Sequence, residues 1–375
     1  MGKSLSQNRT KPTRVVLFGA VLLLYAAVVL AQTGGEAGAY LRAPTGAAMI
    51  AMGGAQSASP AYLSTWWNPA QLVNIDKSIA SLGTGLYSLG RTEAFGDFEF
   101  RLPPRVGVGI MVLYRGDPFL DNLYSIDEVK LPGAAFTTFT VKAALSYLVT
   151  RRLSAGLSLG VFYQRVPTSY NEDESATQTS INYSDATSVS GFSLGVQYRA
   201  TDSLTLAFQV RNIDPLQMLS GKPAAINMQW QLSQPDGNST PETDFILPAF
   251  VLATMLRHHL LGSPLLWNLD VDGYLVDGTF TKLDMMEAHL HTGVEWERWR
   301  SFRVRAGLDD IVINRGMFSG PHDGYDYWHD FSLRVTAGFG WDIVSLGRGL
   351  TLNYSVATDK VWAGIDEMLD VVYKF

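Results

Sequence analysis

Leu153-Ser154-Ala155-Gly156-Leu157-Ser158-Leu159-Gly160-Val161-Phe162-Tyr163-Gln164-Arg165 carries the reading of the fold. Its odd positions hold Leu153, Ala155, Leu157, Leu159, Val161 and Tyr163, and most of its even positions hold Ser, Gly or Gln. A period of two puts an apolar set and a polar or small set on opposite sides of one strand. The pattern returns at Leu204/Leu206/Phe208/Val210, at Phe302/Val304/Ala306/Leu308 and at Phe331/Leu333/Val335/Ala337/Phe339/Trp341.

A soluble sandwich also alternates, and three further features point to a membrane barrel. The periodic runs reach about ten residues, enough for a tilted strand to cross a bilayer, whereas soluble strands average about five or six. Connections alternate short and long. Short ones fall at Leu102-Pro103-Pro104, Thr150-Arg151-Arg152, Ala200 to Ser203, Arg298-Trp299-Arg300 and Ser345 to Gly347; long ones span 116–139, 166–187, 213–243, 276–286 and 312–330. Short periplasmic turns and long outer loops are the sidedness of bacterial barrels. Finally, the chain ends in a periodic strand with Leu369, Val371, Tyr373 and Phe375 on one face. A terminal aromatic there resembles the signal read by the outer-membrane assembly machinery, which marks Tyr373 and Phe375 as the assembly signal. The expectation is an all-β, transmembrane antiparallel barrel of about fourteen strands, an even number: 77–89, 92–102, 105–115, 139–149, 153–165, 189–199, 203–212, 244–257, 264–275, 287–298, 301–310, 331–344, 349–358 and 362–375.

Composition agrees. Hydrophobic residues make up 47% of the 375 positions and charged residues 17%, against about 25% charge in an average soluble protein. Beyond residue 31 no run approaches the roughly 18 apolar residues of a spanning helix. A net charge of −6 supplies no basic surface for nucleic acid. The absence of cysteine excludes disulfide scaffolds, thiol nucleophiles, Cys-ligated metals and a lipidated Cys anchor.

Lys3, Arg9, Lys11 and Arg14 precede an apolar run from Val15 to Leu30 that ends in Val29-Leu30-Ala31. This is the layout of a secretory signal peptide over residues 1–31. Residues 76–375 then form the barrel. Residues 32–75 do not alternate. Small residues dominate 38–72 where a free tail would be more polar, which predicts a plug folded back into the lumen, with a short helix near Pro60 to Thr65.

Arg42, Met52-Gly53-Gly54-Ala55 and Trp67-Asn68-Pro69-Ala70-Gln71-Leu72 resemble the N-terminal signature of the PorV/PorQ family of outer-membrane proteins. More distantly the chain is similar to the FadL transporters of hydrophobic compounds, which also carry Asn-Pro-Ala in an N-terminal hatch. The motif covers about thirty-five residues; the remainder of the likeness is at the level of fold. Gln71 stands where the family more often has Gly. The resemblance implies a plug motif of Gly53, Gly54, Trp67, Asn68, Pro69 and Ala70. Asn before Pro is held extended, so the reading of Asn68 is a structural corner.

No catalytic residue is assigned, since the chain lacks a Gly-x-Ser-x-Gly elbow, a P-loop and His-Glu-x-x-His. It reads as a non-enzyme without cofactor or metal. His289 and His291 share a strand face with Glu295 and Glu297; a wet polar lumen explains them better than a metal. The stretch His322 to Asp330 offers oxygen ligands without EF-hand spacing and reads as loop. Arg303, Arg305 and Arg334 should point inward against Glu295, Glu297 and Asp342 as a lumen charge network. Tyr114, Tyr147, Tyr163, Tyr198, Trp267 and Trp296 read as membrane-interface aromatics.

The partners expected are outer-membrane lipid and the assembly machinery. Two functions follow from the resemblance. PorV-like proteins serve type IX secretion, which implies a translocon and secreted cargo as partners. FadL-like proteins carry hydrophobic small molecules such as fatty acids or hydrocarbons through a plugged barrel of the bacterial outer membrane. A general porin is disfavoured by the plug.

Overall fold

The computed structural model describes residues 39–59, 62–116, 123–124, 130–131, 136–171, 180–220, 225–232, 242–275, 286–299, 301–314, 333–345, 348–358 and 364–375. The signal peptide and the His322 to Asp330 stretch lie outside them.

Fourteen strands form the wall. The first seven are β1 (Ile79–Leu86), β2 (Thr92–Leu102), β3 (Val106–Gly116), β4 (Thr137–Leu148), β5 (Leu153–Asn171), β6 (Ser180–Arg199) and β7 (Leu204–Ile213). The second seven are β8 (Ala249–Leu260), β9 (Ser263–Leu275), β10 (Met286–Trp299), β11 (Phe302–Asn314), β12 (Arg334–Ser345), β13 (Arg348–Thr358) and β14 (Ile365–Lys374). Each pairs antiparallel with its sequence neighbours, and β1 pairs with β14, from Ile79 opposite Lys374 to Leu86 opposite Glu367, so the sheet closes. Closure leaves no strand edge in lipid, where each unsatisfied backbone group would cost several kcal/mol.

Alternation sets what each face meets. On β5, Leu157 and Leu159 are 40% and 43% exposed, while Ser154 and Ser158 between them are buried. Leu82, Ile110, Leu145, Leu194, Leu206, Leu252, Val304 and Leu369 share the outer face. Such a continuous apolar exterior is a lipid-facing one. Towards the short turns it ends in stacked aromatics. Phe375 lies 5.6 Å from Tyr373 and 6.1 Å from Phe98. Phe302 lies between Trp299 and Phe339 at 5.7 and 5.5 Å. Tyr147, Tyr198 and Trp267 are exposed on the outside.

Three expectations are corrected. β5 and β6 continue as a paired ribbon through 166–171 and 180–187, where a loop was expected. Thr, Tyr, Val and Ile keep this stretch in strand conformation. The two-residue period fades because neither face there needs to be apolar above a bilayer. The expected loop 213–243 holds a short helix at Pro215–Leu219 and the strand Ile226–Leu232. That strand forms a hairpin with Glu242–Ile246 and is joined to β6. Consequently 244–246 belongs to the hairpin and β8 starts only at Ala249. Pro248 has no N–H to give a ladder and holds Leu247 out of helix, so the chain turns there. The inner helix lies at Ser64–Trp67, after Leu63 in left-handed conformation (φ 61°), and a second, unexpected one spans Ala47–Ala51.

Candidate functional site

Residues 39–75 run through the ring of strands. Tyr40 sits beside Arg115 and Thr140 at the long-loop end, and Asn74 beside Ser154 and Gln197 at the short-turn end. The helix Ala47–Ala51 (α1) contacts β11 to β14 on one side of the lumen; the turn Pro69–Asn74 contacts β2 to β6 on the other. A segment this irregular must find partners for its backbone, and the wall supplies them. Asp370 accepts from the Ala47 amide at 2.6 Å, and Asp270 from the Gln56 and Ser57 amides at 3.1 and 2.8 Å. Asn268 donates to the Ala55 carbonyl, Gln197 to Ala58 and Ser154 to Ala70, each at 2.8 Å. Arg115 gathers the carbonyls of Tyr40, Ala43 and Pro44 and is held by Glu93 at 2.5 Å. Burial pushes the Tyr40 phenol up to about 12, against its hydrogen bond to Thr140 and the nearby Arg115 charge.

Small residues on both sides let backbone meet backbone. Met52 and Gly53 press on Gly293 of β10 and Gly307 of β11, where a Cβ would strike the inner segment's main chain. Gly53 and Gly54 turn there with φ of 65° and 75°, which favours glycine. Asn68 is extended, as a residue before Pro must be; its Oδ1 accepts from the Ala70 amide at 3.0 Å and its Nδ2 donates to Ser57 at 2.8 Å. Gly195 and Gly156 leave room for Asn68 and Pro69. Trp67 donates to the Thr45 carbonyl at 3.2 Å and lies under Arg211.

The charged residues divide into separate groups. Arg305 holds Glu295 at 2.5 Å and Asn353 at 2.9 Å. Arg303 pairs with Asp342, which also accepts from Thr351 at 2.6 Å. Arg334 stands apart from these, between Asp309 at 3.0 Å and Asp366 at 2.5 Å. His289 is bonded to Asp310 and His291 to Asp309 at 2.7 Å, well away from Glu297. No group of three metal-ligating side chains forms among the described residues. At the chain's end, the Phe375 amide donates to the Ser78 carbonyl at 3.1 Å, so the terminal strand and the first one lock at the short-turn side.

Two features escaped the reading of the sequence. One is buried Lys142, whose ammonium lies 4.4 Å from the Trp66 ring centre and 6.0 Å from that of Phe162. Its lumen parity in β4 was the available signal. The other is a break in the wall. β6 pairs with β7 from Phe192 to Arg199 and with the Ile226–Leu232 strand from Ser184 to Thr187. Among the described residues, 189–191 have no ladder partner on that edge. On the opposite edge, β6 bulges between Gly191 and Ser188 against Gly160 and Phe162 of β5. The Phe162 ring fills the space left by Gly160 and Gly191, and it is fully buried against Ala186, Ile226, Met228 and Ile246. An apolar cluster therefore backs the stretch of wall where β6 changes strand partner. Towards the short turns the lumen instead opens into two polar cavities of about 410 and 400 Å³.

No protein-family model and no curated protein matches the chain. Solved structures do. A Pseudomonas aeruginosa FadL homologue aligns with a TM-score of 0.55 at 14% identity, over 93% of this chain and 99% of its own. The Ralstonia pickettii toluene transporter TbuX aligns at 0.53 and 13%, over 89% and 98%. The CymD monoaromatic hydrocarbon channel aligns at 0.53 and 12%, over 88% and 98%. Identities this low establish a shared fold, that of the FadL-like fourteen-strand barrels. None of these three proteins is named as a PorV/PorQ protein or a secretion component.

Proposed function

We propose that the protein is an outer-membrane barrel that carries hydrophobic small molecules from the long-loop side and releases them sideways into the membrane. The gap in strand pairing at residues 189–191 of β6, filled by the Phe162 ring, carries this reading. Opening it costs no ladder hydrogen bonds on the β7 edge, and the cluster behind it includes Met228, whose thioether adapts to varied apolar shapes. The inner segment serves as plug. The polar cavities below it offer an apolar solute no comparable route straight through. That FadL-like neighbours are named as transporters and channels of such compounds supports the class. A role in secretion rests on the short Met52–Ala55 and Trp67–Leu72 resemblance and gains no further support.

The test compares accumulation of radiolabelled toluene and oleate in wild-type cells, a deletion strain and a strain carrying Phe162→Ala. Deletion should slow uptake of at least one compound, and Phe162→Ala should speed it. Equal accumulation of both compounds in wild-type and deletion cells refutes transport, and secreted proteins retained by the deletion would favour secretion instead.

A further inference from the structure

The short-turn mouth carries its charge unevenly. On the β10–β12 side two arginines of the lumen have carboxylates: Arg305 has Glu295 and Arg303 has Asp342. On the β5–β8 side the cavity of about 410 Å³ is lined by Arg151, Arg152, Arg199 and Arg257, the last of which also borders the second cavity with Glu295 and Glu297. Among the described residues none of these four makes an ion pair. Asp76 and Asp202 are the carboxylates in the lining, two against four.

The sheet forces these arginines together. The Arg199 amide donates to the Arg152 carbonyl at 2.8 Å, so the two residues are cross-strand neighbours on β6 and the turn before β5. The Arg257 amide donates to the Ser203 carbonyl at 2.7 Å, which places Arg257 two strands round from Arg199, across β7. Like charges placed side by side on a sheet destabilise it. A bound anion converts that repulsion into attraction. Planar guanidiniums suit oxyanions, which accept two parallel hydrogen bonds from each. The floor of the cavity adds polar groups from Asn74, Ser154 and Gln197, already tied to the inner segment and to one another.

We infer that this cavity binds a phosphate-class anion, with Arg152, Arg199 and Arg257 as its principal ligands. The same chemistry is presented by free phosphate and by the headgroup of an anionic phospholipid in the inner leaflet, which lies at the level of the short turns. The site is independent of the transport reading, since it shares no residue with the Phe162 cluster.

The experiment uses the purified full-length barrel in non-ionic detergent. Its thermal unfolding is followed in sodium phosphate against sodium chloride of equal ionic strength. A second arm compares dihexanoyl phosphatidylglycerol with dihexanoyl phosphatidylcholine. The same titrations are run on Arg152→Gln/Arg199→Gln, whose substituted positions are exposed. Wild type should be stabilised by phosphate, by phosphatidylglycerol or by both, and the double variant should bind about tenfold more weakly or worse. Without any phosphate the variant should unfold at a higher temperature than wild type, because a repulsion has been removed; a purely structural role for these arginines gives the opposite sign. A response to phosphatidylglycerol alone identifies a lipid headgroup, and a response to phosphate without headgroup preference identifies a soluble anion. Indifference of wild type to both, or an unchanged response in the double variant, overturns the inference.

Discussion

The hydroxyl of Tyr62 donates to the carboxylate of Asp370, 308 residues further along the chain. The same carboxylate accepts from the Ala47 amide at 2.6 Å and from Asn353 at 2.8 Å. One side chain of the last strand thus holds both halves of the inner segment. Asp370→Ala should leave the Ala47 amide and the Tyr62 hydroxyl buried without an acceptor, at about 1–3 kcal/mol for each. Tyr62→Phe removes two bonds, the one given to Asp370 and the one accepted from the Ala48 amide, but leaves the carboxylate on Ala47 and Asn353 and should cost less. Urea unfolding in detergent micelles ranks the two. Equal stability of wild type and Asp370→Ala would show that water replaces the carboxylate and that the segment is loosely held.

Arg334 is the cation between Asp309 and Asp366, and all three are buried. Arg334→Gln takes the cation from two buried carboxylates, leaving Asp309 to His291 and Asp366 to the Ser88 amide, and should destabilise the barrel by about 3–5 kcal/mol, the usual loss when a buried pair is broken from one side. Arg165→Gln is the control. Its pair with Asp185 spans 3.6 Å with both side chains about half exposed, so its loss should register at about 0–1 kcal/mol. Similar losses for the two variants in a common unfolding assay would mean that the lumen around Arg334 is wet enough to screen it.

These two examples show how far the sequence could be read. The wall was legible because each strand must present Leu, Val or Phe outward at every second position, as Leu157 and Leu159 do. Gly53-Gly54 and Asn68-Pro69 were legible as turns because φ > 0 and pre-proline restriction are local properties. The partners of Arg334 were not legible. Asp309 and Asp366 reach it across the sheet and through the register, and nothing within a few residues of Arg334 distinguishes them from Asp342. The hairpin at 226–246 escaped because its strands lack the one-sided apolar pattern, and the wall break because it is set by where β6 changes strand partner.

At the C-terminus, Phe375 stacks on Phe98 and Tyr373 while its amide holds Ser78. Removing Phe375 takes away an aromatic contact and the last bond of the β14 to β1 seam. Insertion into liposomes assisted by the assembly machinery should slow, with synthesis unchanged. Heat-modifiable migration on gels reports the folded fraction against time. Superimposable time courses for truncated and full-length chains would remove Phe375 from the assembly step.

The lipid face yields the test that bears on the whole fold. Leu157 and Leu159 stand outside at 40% and 43% exposure, whereas Ser158 between them is buried against the lumen contents. A photolabel confined to the bilayer core should therefore mark Leu157 and Leu159 and spare Ser154 and Ser158. Charge adds a second readout. Leu157→Arg places a guanidinium in hydrocarbon and should cost about 2–4 kcal/mol near the midplane. Ser158 is a poor lumen control, because an arginine there would collide with a packed interior. Thr205 serves better, since its side chain borders the open polar cavity at the short-turn end, where a carboxylate can reach water and the arginines. Thr205→Glu, whose carboxylate would face the arginines of that cavity, should leave stability in liposomes within about 1 kcal/mol of wild type, a charge near the interface being cheap. A soluble sandwich would bury Leu157 in a dry core and give no label on either face, so labelling of Leu157 and Leu159 separates the two architectures even where the stability order is the same.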